Sequence, residues 1–212
     1  MTETSASSGP ASRSGDPEED LAMIRQLMSE SREVTDAGGA YYLLWGSVVM
    51  AGLLATWLVA QGVLAIPAGW IWAAAIGLGW AGSFLLGRRR ERELPVRTTG
   101  GRVMSGIWVG GGVTMTLLGF APPAAGIVTT SGGIMGPIAM VMGSCYFATS
   151  FVYRSSVLRW MAAGWWVGGL AMLVWSGATS ILVMAGLVLC LQIVPGVWLA
   201  RSGSDVGAPA AT

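Results

Sequence analysis

Six long apolar stretches alternate with short polar or glycine-rich segments between residues 41 and 200. A helix needs about 20 mostly apolar residues to cross a hydrocarbon core that is about 30 Å thick, and every stretch is long enough. The pattern therefore predicts an all-α polytopic membrane bundle of six transmembrane helices. The predicted spans are residues 41–61, 66–87, 103–121, 134–153, 157–176 and 179–200.

Both ends of the chain are polar and rich in small residues. Residues 1–15 are mostly Ser, Gly, Ala and Pro, and residues 201–212 have a similar composition. Such segments cannot bury enough apolar surface to fold, so two disordered tails are predicted. Because the number of spans is even, both tails are expected on the same side of the membrane.

A short amphipathic helix is predicted between the first tail and the first span, over residues 16–37. Asp16 is a suitable N-cap, and Pro17 suits the first helical position. Gly38 and Gly39 are expected to end this helix before the membrane. Its apolar residues recur at helical spacing and form one face. That face carries Leu21, Ile24, Leu27 and Met28.

The charges are segregated along the chain. All twelve basic residues are arginines, and these and the eleven acids lie before the first span, after the last, or at the ends that even-numbered spans share with the next odd-numbered span. The other three links carry no charge. The positive-inside rule places the charged side and both termini in the cytoplasm. Arginine as the only basic residue is typical of a GC-rich bacterial genome, so the sequence predicts a multi-pass protein of the bacterial inner (plasma) membrane.

The interior of the spans lacks acidic and basic residues, and the chain has no histidine. Proton-coupled carriers, pumps and intramembrane metalloproteases need such groups within the membrane. Cys145 and Cys190 lack the spacing of a metal site and are expected to be small buried hydrophobes. We therefore expect a protein that is not an enzyme, with no catalytic residues, no metal and no cofactor. No direct binding to nucleic acid is expected either.

Glycine is abundant, at 32 of 212 residues, and two pairs have the GxxxG spacing: Gly106 with Gly110, and Gly164 with Gly168. Small residues four apart let helix backbones approach closely in lipid. Packing within the chain is the favoured interpretation. The alternative is a homo-oligomer that associates through one such face.

A weak internal repeat is visible as well. The odd-numbered spans open with Trp and Gly, as in LLWGSVVMAGLL (43–54), GIWVGGGVTMTLLG (106–119) and GWWVGGLAMLVW (164–175). The even-numbered spans end at arginine. These features fit either three parallel helical hairpins or the general tendency of membrane helices to place Trp at their ends and Gly inside.

Two charged cytoplasmic segments are the main candidates for activity. The first 40 residues hold eight acids and three arginines, whereas the link 88–102 is basic. The two segments either dock on each other or bind a cytoplasmic regulatory protein, and the arginines alternatively only set topology and attract anionic lipids of the bilayer. A membrane anchor or sensor for such a partner is the leading hypothesis. The candidate arginines are Arg88, Arg89, Arg90 and Arg92.

The alternative function is a small transporter or channel for an uncharged solute or a lipid. Its path would run between the fourth and sixth spans, where polar side chains recur. Pro195 is expected to kink the sixth span near its cytoplasmic end. The candidate polar residues are Ser144, Thr149, Ser150 and Gln192.

Three stretches of the chain resemble a group of uncharacterised bacterial six-span membrane proteins: DLAMIRQLMSESREVTDAGGAYYLLWG (20–46), VMSGIWVGGGVTMTLLGF (103–120) and IVPGVWLAR (193–201). These proteins begin with a short cytoplasmic IRxLMxxS helix that runs into a Gly-containing first span. The resemblance implies an inner-membrane protein and brings no known activity or catalytic residues. Members of such groups are sometimes encoded beside small winged-helix regulators, which implies a regulator as the partner.

Overall fold

A computed structural model of the protein describes residues 17–93, 99–128, 130–175 and 177–205. Side chains are described for all of these except residues 17–38, 90, 91, 93, 99, 199, 200 and 202–205. The predicted tail 1–15 and the N-cap Asp16 lie outside the described residues. The second predicted tail, 201–212, is helical up to Asp205 and lies outside them from residue 206 onwards.

The described part of the chain is entirely helical and contains no strand. Six of its helices are long and apolar enough to cross a membrane, so the predicted six-helix bundle is confirmed and the protein is a multi-pass membrane protein. Every span begins and ends within three residues of its predicted boundary. The helices are α1 Pro17–Ala60, α2 Ala68–Glu93, α3 Thr99–Ala124, α4 Ser131–Val152, α5 Ser156–Val174, α6 Ala178–Val188 and α7 Val194–Asp205. A π-helical turn, Leu189–Ile193, joins α6 to α7 within the sixth span.

Successive spans pack as antiparallel neighbours: α1 on α2, α3 on α4, and α5 on α6. The bundle is closed by contacts between α4 and α5, and between α1 and the α6–α7 segment. Half of the apolar window of α4 is buried, against 6% of the window of α3. The fourth span is therefore central, whereas α2 and α3 lie at the periphery with most of their surface toward lipid.

The described arginine side chains all lie at the same end of the bundle, which we call the arginine end. Antiparallel packing brings the start of odd-numbered spans beside the end of even-numbered ones, and the arginines occupy those positions. At the opposite end, each of the three uncharged links contains a glycine in the left-handed region. These are Gly62 (φ 74°), Gly126 (φ 69°) and Gly177 (φ 96°).

The first helix differs from its prediction. α1 is one continuous helix of 44 residues from Pro17 to Ala60, so Gly38 and Gly39 do not end it. Glycine costs only about 1 kcal/mol relative to alanine inside a helix, and the long helical sequences on both sides outweigh that penalty. Gly39 is moreover buried. The part that precedes Gly39 extends the first span beyond its apolar window by about 33 Å, at 1.5 Å per residue.

Candidate functional site

Four aromatic rings from four spans meet in the half of the bundle nearest the arginine end. Tyr146 of α4 and Trp165 of α5 are fully buried, at 0% exposure. The ring of Tyr146 stacks on Tyr42 of α1, with centroids 5.8 Å apart, and on Trp165 at 6.3 Å. The edge-on ring of Trp108 from α3 lies 5.4 Å from Tyr146. We call these four residues the aromatic cluster, and Tyr146 is at its centre.

The sixth span joins this cluster through a hydrogen bond. The hydroxyl of Tyr146 donates to the main-chain carbonyl oxygen of Leu191 at 3.0 Å. In a regular α-helix that carbonyl accepts from the amide of residue 195, but Pro195 has no N–H to donate. The side chain of Tyr146 thus donates to a backbone carbonyl of the sixth span whose usual α-helical donor is missing at Pro195.

The same part of the sixth span contains the π-helical turn Leu189–Ile193. The amide of Val194 donates to the carbonyl of Leu189, five residues earlier. Sharp helix irregularities in membranes arise where a proline or a π-turn interrupts the usual hydrogen-bond ladder. The structure thus has a π-helical turn immediately before Pro195, and the kink predicted at that proline stays a prediction.

Two glycines fit α1 against this irregular segment. A Cβ at Gly46 of α1 would lie 2.7 Å from the side chain of Ile193 and 3.6 Å from that of Gln192. On the other side of Pro195, a Cβ at Gly196 would lie 3.0 Å from the side chain of Tyr42. The first span therefore packs closely on the sixth span both before and after the proline.

The aromatic cluster is held by packing more than by polar contacts. The indole N–H groups of Trp108 and Trp165 are buried and have no hydrogen-bond partner among the described residues. A buried donor without a partner costs about 1–3 kcal/mol, so the apolar contacts of these rings must offset that cost. Within the described residues, no group of three His, Cys, Asp or Glu side chains is placed to hold a metal ion.

The four polar residues of the predicted transport path have different surroundings. Ser144 is exposed on α4 and donates to the carbonyl of Met140 in its own helix. Thr149 is buried and donates to the Met104 sulfur of α3. The two remaining residues, Ser150 and Gln192, are both buried at no more than 5% exposure.

The arginine end presents a strongly basic surface. Arg88, Arg89 and Arg92 extend from the end of α2 and are exposed, whereas the side chain of Arg90 is not described. The guanidinium carbon of Arg88 lies 4.9 Å from the ring centre of Phe84 in the same helix. The other described arginines are also exposed: Arg102, Arg154, Arg159 and Arg201. No acidic side chain is described at this end, or elsewhere in the residues with described side chains.

The predicted apolar face of the N-terminal segment falls in the first part of α1. The backbone of this part is helical, and the side chains of its residues are not described. Whether the acidic segment docks on the arginines therefore stays untested. The residues of that face are Leu21, Ile24, Leu27 and Met28.

The two GxxxG pairs have different surroundings. A Cβ at Gly164 would lie 3.0 Å from Leu191, and one at Gly168 would overlap Leu187, so this pair lets α5 approach the sixth span. Gly106 and Gly110 meet nothing within 4 Å among the described residues and face away from the bundle. Association of two chains through this second pair stays a prediction.

The close contacts of α3 instead involve the two residues that follow Gly110. A Cβ at Gly111 would overlap the sulfur of Cys145 in α4, and one at Gly112 would lie 3.2 Å from the ring of Trp80 in α2. Cys145 is buried as expected, but Cys190 is exposed on the π-helical turn. Cys190 therefore lies on the side of this turn that faces away from the bundle, whereas Gln192 of the same turn is buried.

Ser47 and Ala51 of α1 belong to one wall of a shallow, mainly apolar groove between α1 and α2, with a volume of about 400 Å³. Its other wall belongs to α2, near the end of the bundle opposite the arginines. The groove is lined by Ser47, Val48, Ala51, Gly52, Ile71, Ala74, Ala75 and Leu78.

Sequence reasoning did not identify the aromatic cluster. One signal was present: Tyr146 lies six residues before the end of α4, well inside the membrane span. A tyrosine at that depth needs a partner for its hydroxyl, and a proline in another span frees a carbonyl. Nothing in one sequence shows that these two groups are at the same height in adjacent helices.

No family model matches this chain, and no curated protein or solved structure shows significant similarity to it. The resemblance to uncharacterised six-span inner-membrane proteins therefore stays a prediction.

Proposed function

We propose that this protein is a non-enzymatic anchor or sensor in the bacterial inner membrane that binds a cytoplasmic regulatory protein. The partner contacts the part of α1 that precedes Gly39 and the arginine end of the bundle. In this proposal the arginine end and both termini lie in the cytoplasm, in keeping with the positive-inside rule. The observation that carries the proposal is the continuity of α1 from Pro17 to Ala60.

A continuous helix supports partner binding for a mechanical reason. A flexible joint at Gly38 and Gly39 would let the N-terminal segment point in many directions, and ordering it would reduce the affinity for a partner. One uninterrupted helix holds the apolar positions Leu21, Ile24, Leu27 and Met28 in a fixed direction relative to the first span. An amphipathic helix of this kind suits a hydrophobic groove on a partner protein.

The charge at the arginine end supports the same proposal. The seven described arginine side chains are exposed at one end of the bundle. A surface of one sign attracts an oppositely charged partner over about one Debye length and accelerates its encounter with the membrane protein. The N-terminal part of α1 is acidic, so the protein presents charges of both signs to a partner. The best-fitting partner has an apolar groove for the apolar face of α1 and a polar rim for these charges.

The test uses the full-length protein in native membranes. A photo-crosslinking amino acid replaces Ile24 or Arg89, and captured proteins are identified by mass spectrometry. We expect one recurrent cytoplasmic protein at both positions, and none with the crosslinker at Val109, which is exposed on the membrane-embedded surface of α3.

Two variants distinguish specific binding of the partner from nonspecific binding. Replacing Leu21, Ile24 and Met28 together by alanine should abolish the capture from Arg89. Replacing Gln26 and Glu33, which lie on the opposite face of the same predicted amphipathic helix by helical spacing, should leave it unchanged. Capture that survives the apolar triple variant, or crosslinks only to lipid and to the protein itself, would refute the proposal.

A second candidate function is a small transporter for an uncharged solute or lipid. The observation that favours it is a buried amide, Gln192, within the π-helical turn, because such turns often occur at functional sites. A bound solute should raise the unfolding temperature of the purified protein, and Gln192→Leu should remove that rise. Ser144→Ala is the matched control, since Ser144 is exposed and bonded within its own helix. A rise that persists in Gln192→Leu would exclude this site.

A further inference from the structure

We propose that the sixth span bends at its π-helical turn and that the hydroxyl of Tyr146 is the latch that holds the bend closed. Beyond the turn, α7 moves together with the part of α1 up to Gly46, while α3, α4 and α5 stay in place. This inference concerns motion within the protein and does not depend on the identity of a partner.

The turn has the properties of a hinge. Its backbone follows the π pattern over Leu189–Ile193, and the missing amide of Pro195 removes a hydrogen bond from the ladder next to it. The α-helical donor to the carbonyl of Leu191 would be the amide of residue 195, which proline lacks. This carbonyl has a hydrogen-bond partner in another span instead.

That partner comes from the most buried part of the bundle. Tyr146 is at 0% exposure and its ring is fixed between Tyr42 and Trp165, so its hydroxyl has a well-defined position. The bond of 3.0 Å to Leu191 joins the immobile α4 to the irregular turn. Single hydrogen bonds between membrane helices shift an equilibrium by roughly three-fold to twenty-fold, which is enough to favour a closed state without preventing opening.

The segment beyond the turn is fitted to α1. Gly196 lies against Tyr42, and Gly46 lies against Ile193, so the two helices interlock on both sides of Pro195. A displacement of α7 without α1 would separate both contacts, whereas a joint displacement keeps them. Because α1 is continuous toward its N-terminus, such a motion also tilts the N-terminal part of that helix.

The test measures distances between pairs of spin labels by pulsed electron paramagnetic resonance in lipid nanodiscs. Both native cysteines are replaced by alanine, and labels are placed at Arg102, Arg159 and Arg201, which are exposed, and at Arg32 in the N-terminal part of α1. The pair Arg159–Arg201 reports the position of α7 relative to α5. The pair Arg102–Arg159 compares two helices that the inference holds fixed, and Arg32–Arg159 follows α1.

Tyr146→Phe removes only the hydroxyl and keeps the aromatic stack. We expect a second distance in the Arg159–Arg201 and Arg32–Arg159 pairs, with its population increased by about three-fold to twenty-fold. The Arg102–Arg159 pair should not change. Thr149→Val is the matched control, because Thr149 is a buried residue of α4 whose hydroxyl contacts α3 and not the sixth span.

The decisive test combines Pro195→Ala with Tyr146→Phe. Alanine restores an amide that donates to the carbonyl of Leu191, so the double variant Tyr146→Phe with Pro195→Ala should return to a single distance. An unchanged distribution in Tyr146→Phe would overturn the inference. A new distance in the Arg102–Arg159 pair, an equal effect of Thr149→Val, or no rescue by Pro195→Ala would overturn it as well.

Discussion

The backbones of Gly136 in α4 and Gly169 in α5 are in direct contact: a Cβ on either glycine would lie 3.0 Å from the carbonyl oxygen of the other. The contact is reciprocal and involves main-chain atoms, which cannot rotate out of the way. It accounts for the close packing of the two most buried neighbouring spans. Neither glycine belongs to the GxxxG pairs that the sequence had singled out.

Because of this contact, we expect replacement by alanine to have opposite effects on stability at Gly136 and at Gly110. Gly136→Ala should lower the free energy of unfolding by about 1–3 kcal/mol, because the added methyl group overpacks a backbone contact. Gly110→Ala meets nothing within 4 Å and should raise it by up to about 1 kcal/mol through helix propensity. Unfolding of both variants in mixed detergent micelles measures the difference. Equal effects of the two substitutions would contradict the contact.

A second pair of variants concerns a hydrogen bond between side chains of α1 and α2. The indole N–H of Trp45 donates to the hydroxyl of Ser83 at 2.9 Å, and the Trp45 ring lies against Gly79. Ser83→Ala should destabilise the protein by about 0.5–1.5 kcal/mol because the indole loses its acceptor. Ser144→Ala should be nearly neutral, since Ser144 is exposed and bonded within α4. The same detergent unfolding assay compares the two, and a neutral Ser83→Ala would show that the bond contributes nothing.

A third prediction concerns backbone strain in the tight link between α4 and α5. Arg154 has φ of 49°, the left-handed region that glycine adopts without cost. Arg154→Gly should therefore be about 1 kcal/mol more stable than Arg154→Ala. Both variants lose the same charge, so their difference isolates the backbone effect. The two unfolding curves should separate, and coinciding curves would rule out strain at this residue.

The orientation proposed for the bundle is tested by labelling single cysteines in intact cells. In a variant without Cys145 and Cys190, a membrane-impermeant maleimide should label Val63→Cys and Ile127→Cys, which are exposed in the uncharged links. It should not label Arg88→Cys or Arg201→Cys until the membrane is opened. Labelling of the arginine-end positions in intact cells would reverse the orientation.

The six spans were predictable because lipid imposes one strict requirement on them. Each backbone polar group must be satisfied within its own segment, so apolar length alone identifies a span. Where a helix ends is harder to predict, and this accounts for the error at Gly38 and Gly39. A helix terminus depends on the balance between a modest glycine penalty and the cooperativity of the helices on both sides, and that balance is not visible in two residues.

The direction in which each helix faces was not predictable. GxxxG spacing shows that small residues share one side of a helix, but not whether another helix or lipid lies against that side. Gly164 and Gly168 face the sixth span, whereas Gly106 and Gly110 face outward, although their sequence contexts are similar. The hydrogen bond from Tyr146 to Leu191 joins residues that are 45 positions apart in the chain. It depends on the relative height and rotation of the fourth and sixth spans.

Because the first helix is uninterrupted, the number of residues in it matters as well as their identity. Each inserted residue turns everything that precedes it by about 100° and shifts it by 1.5 Å along the axis. One alanine inserted after Gly38 would thus turn Leu21 and Ile24 toward a different side of the bundle, and crosslinking to the proposed partner should fall sharply. Seven inserted residues restore the direction to within about 20° and should restore the capture at a greater height. The number of residues between Met28 and the membrane therefore sets the direction in which the apolar face points toward the partner. This direction depends on how many residues there are and not on their chemistry.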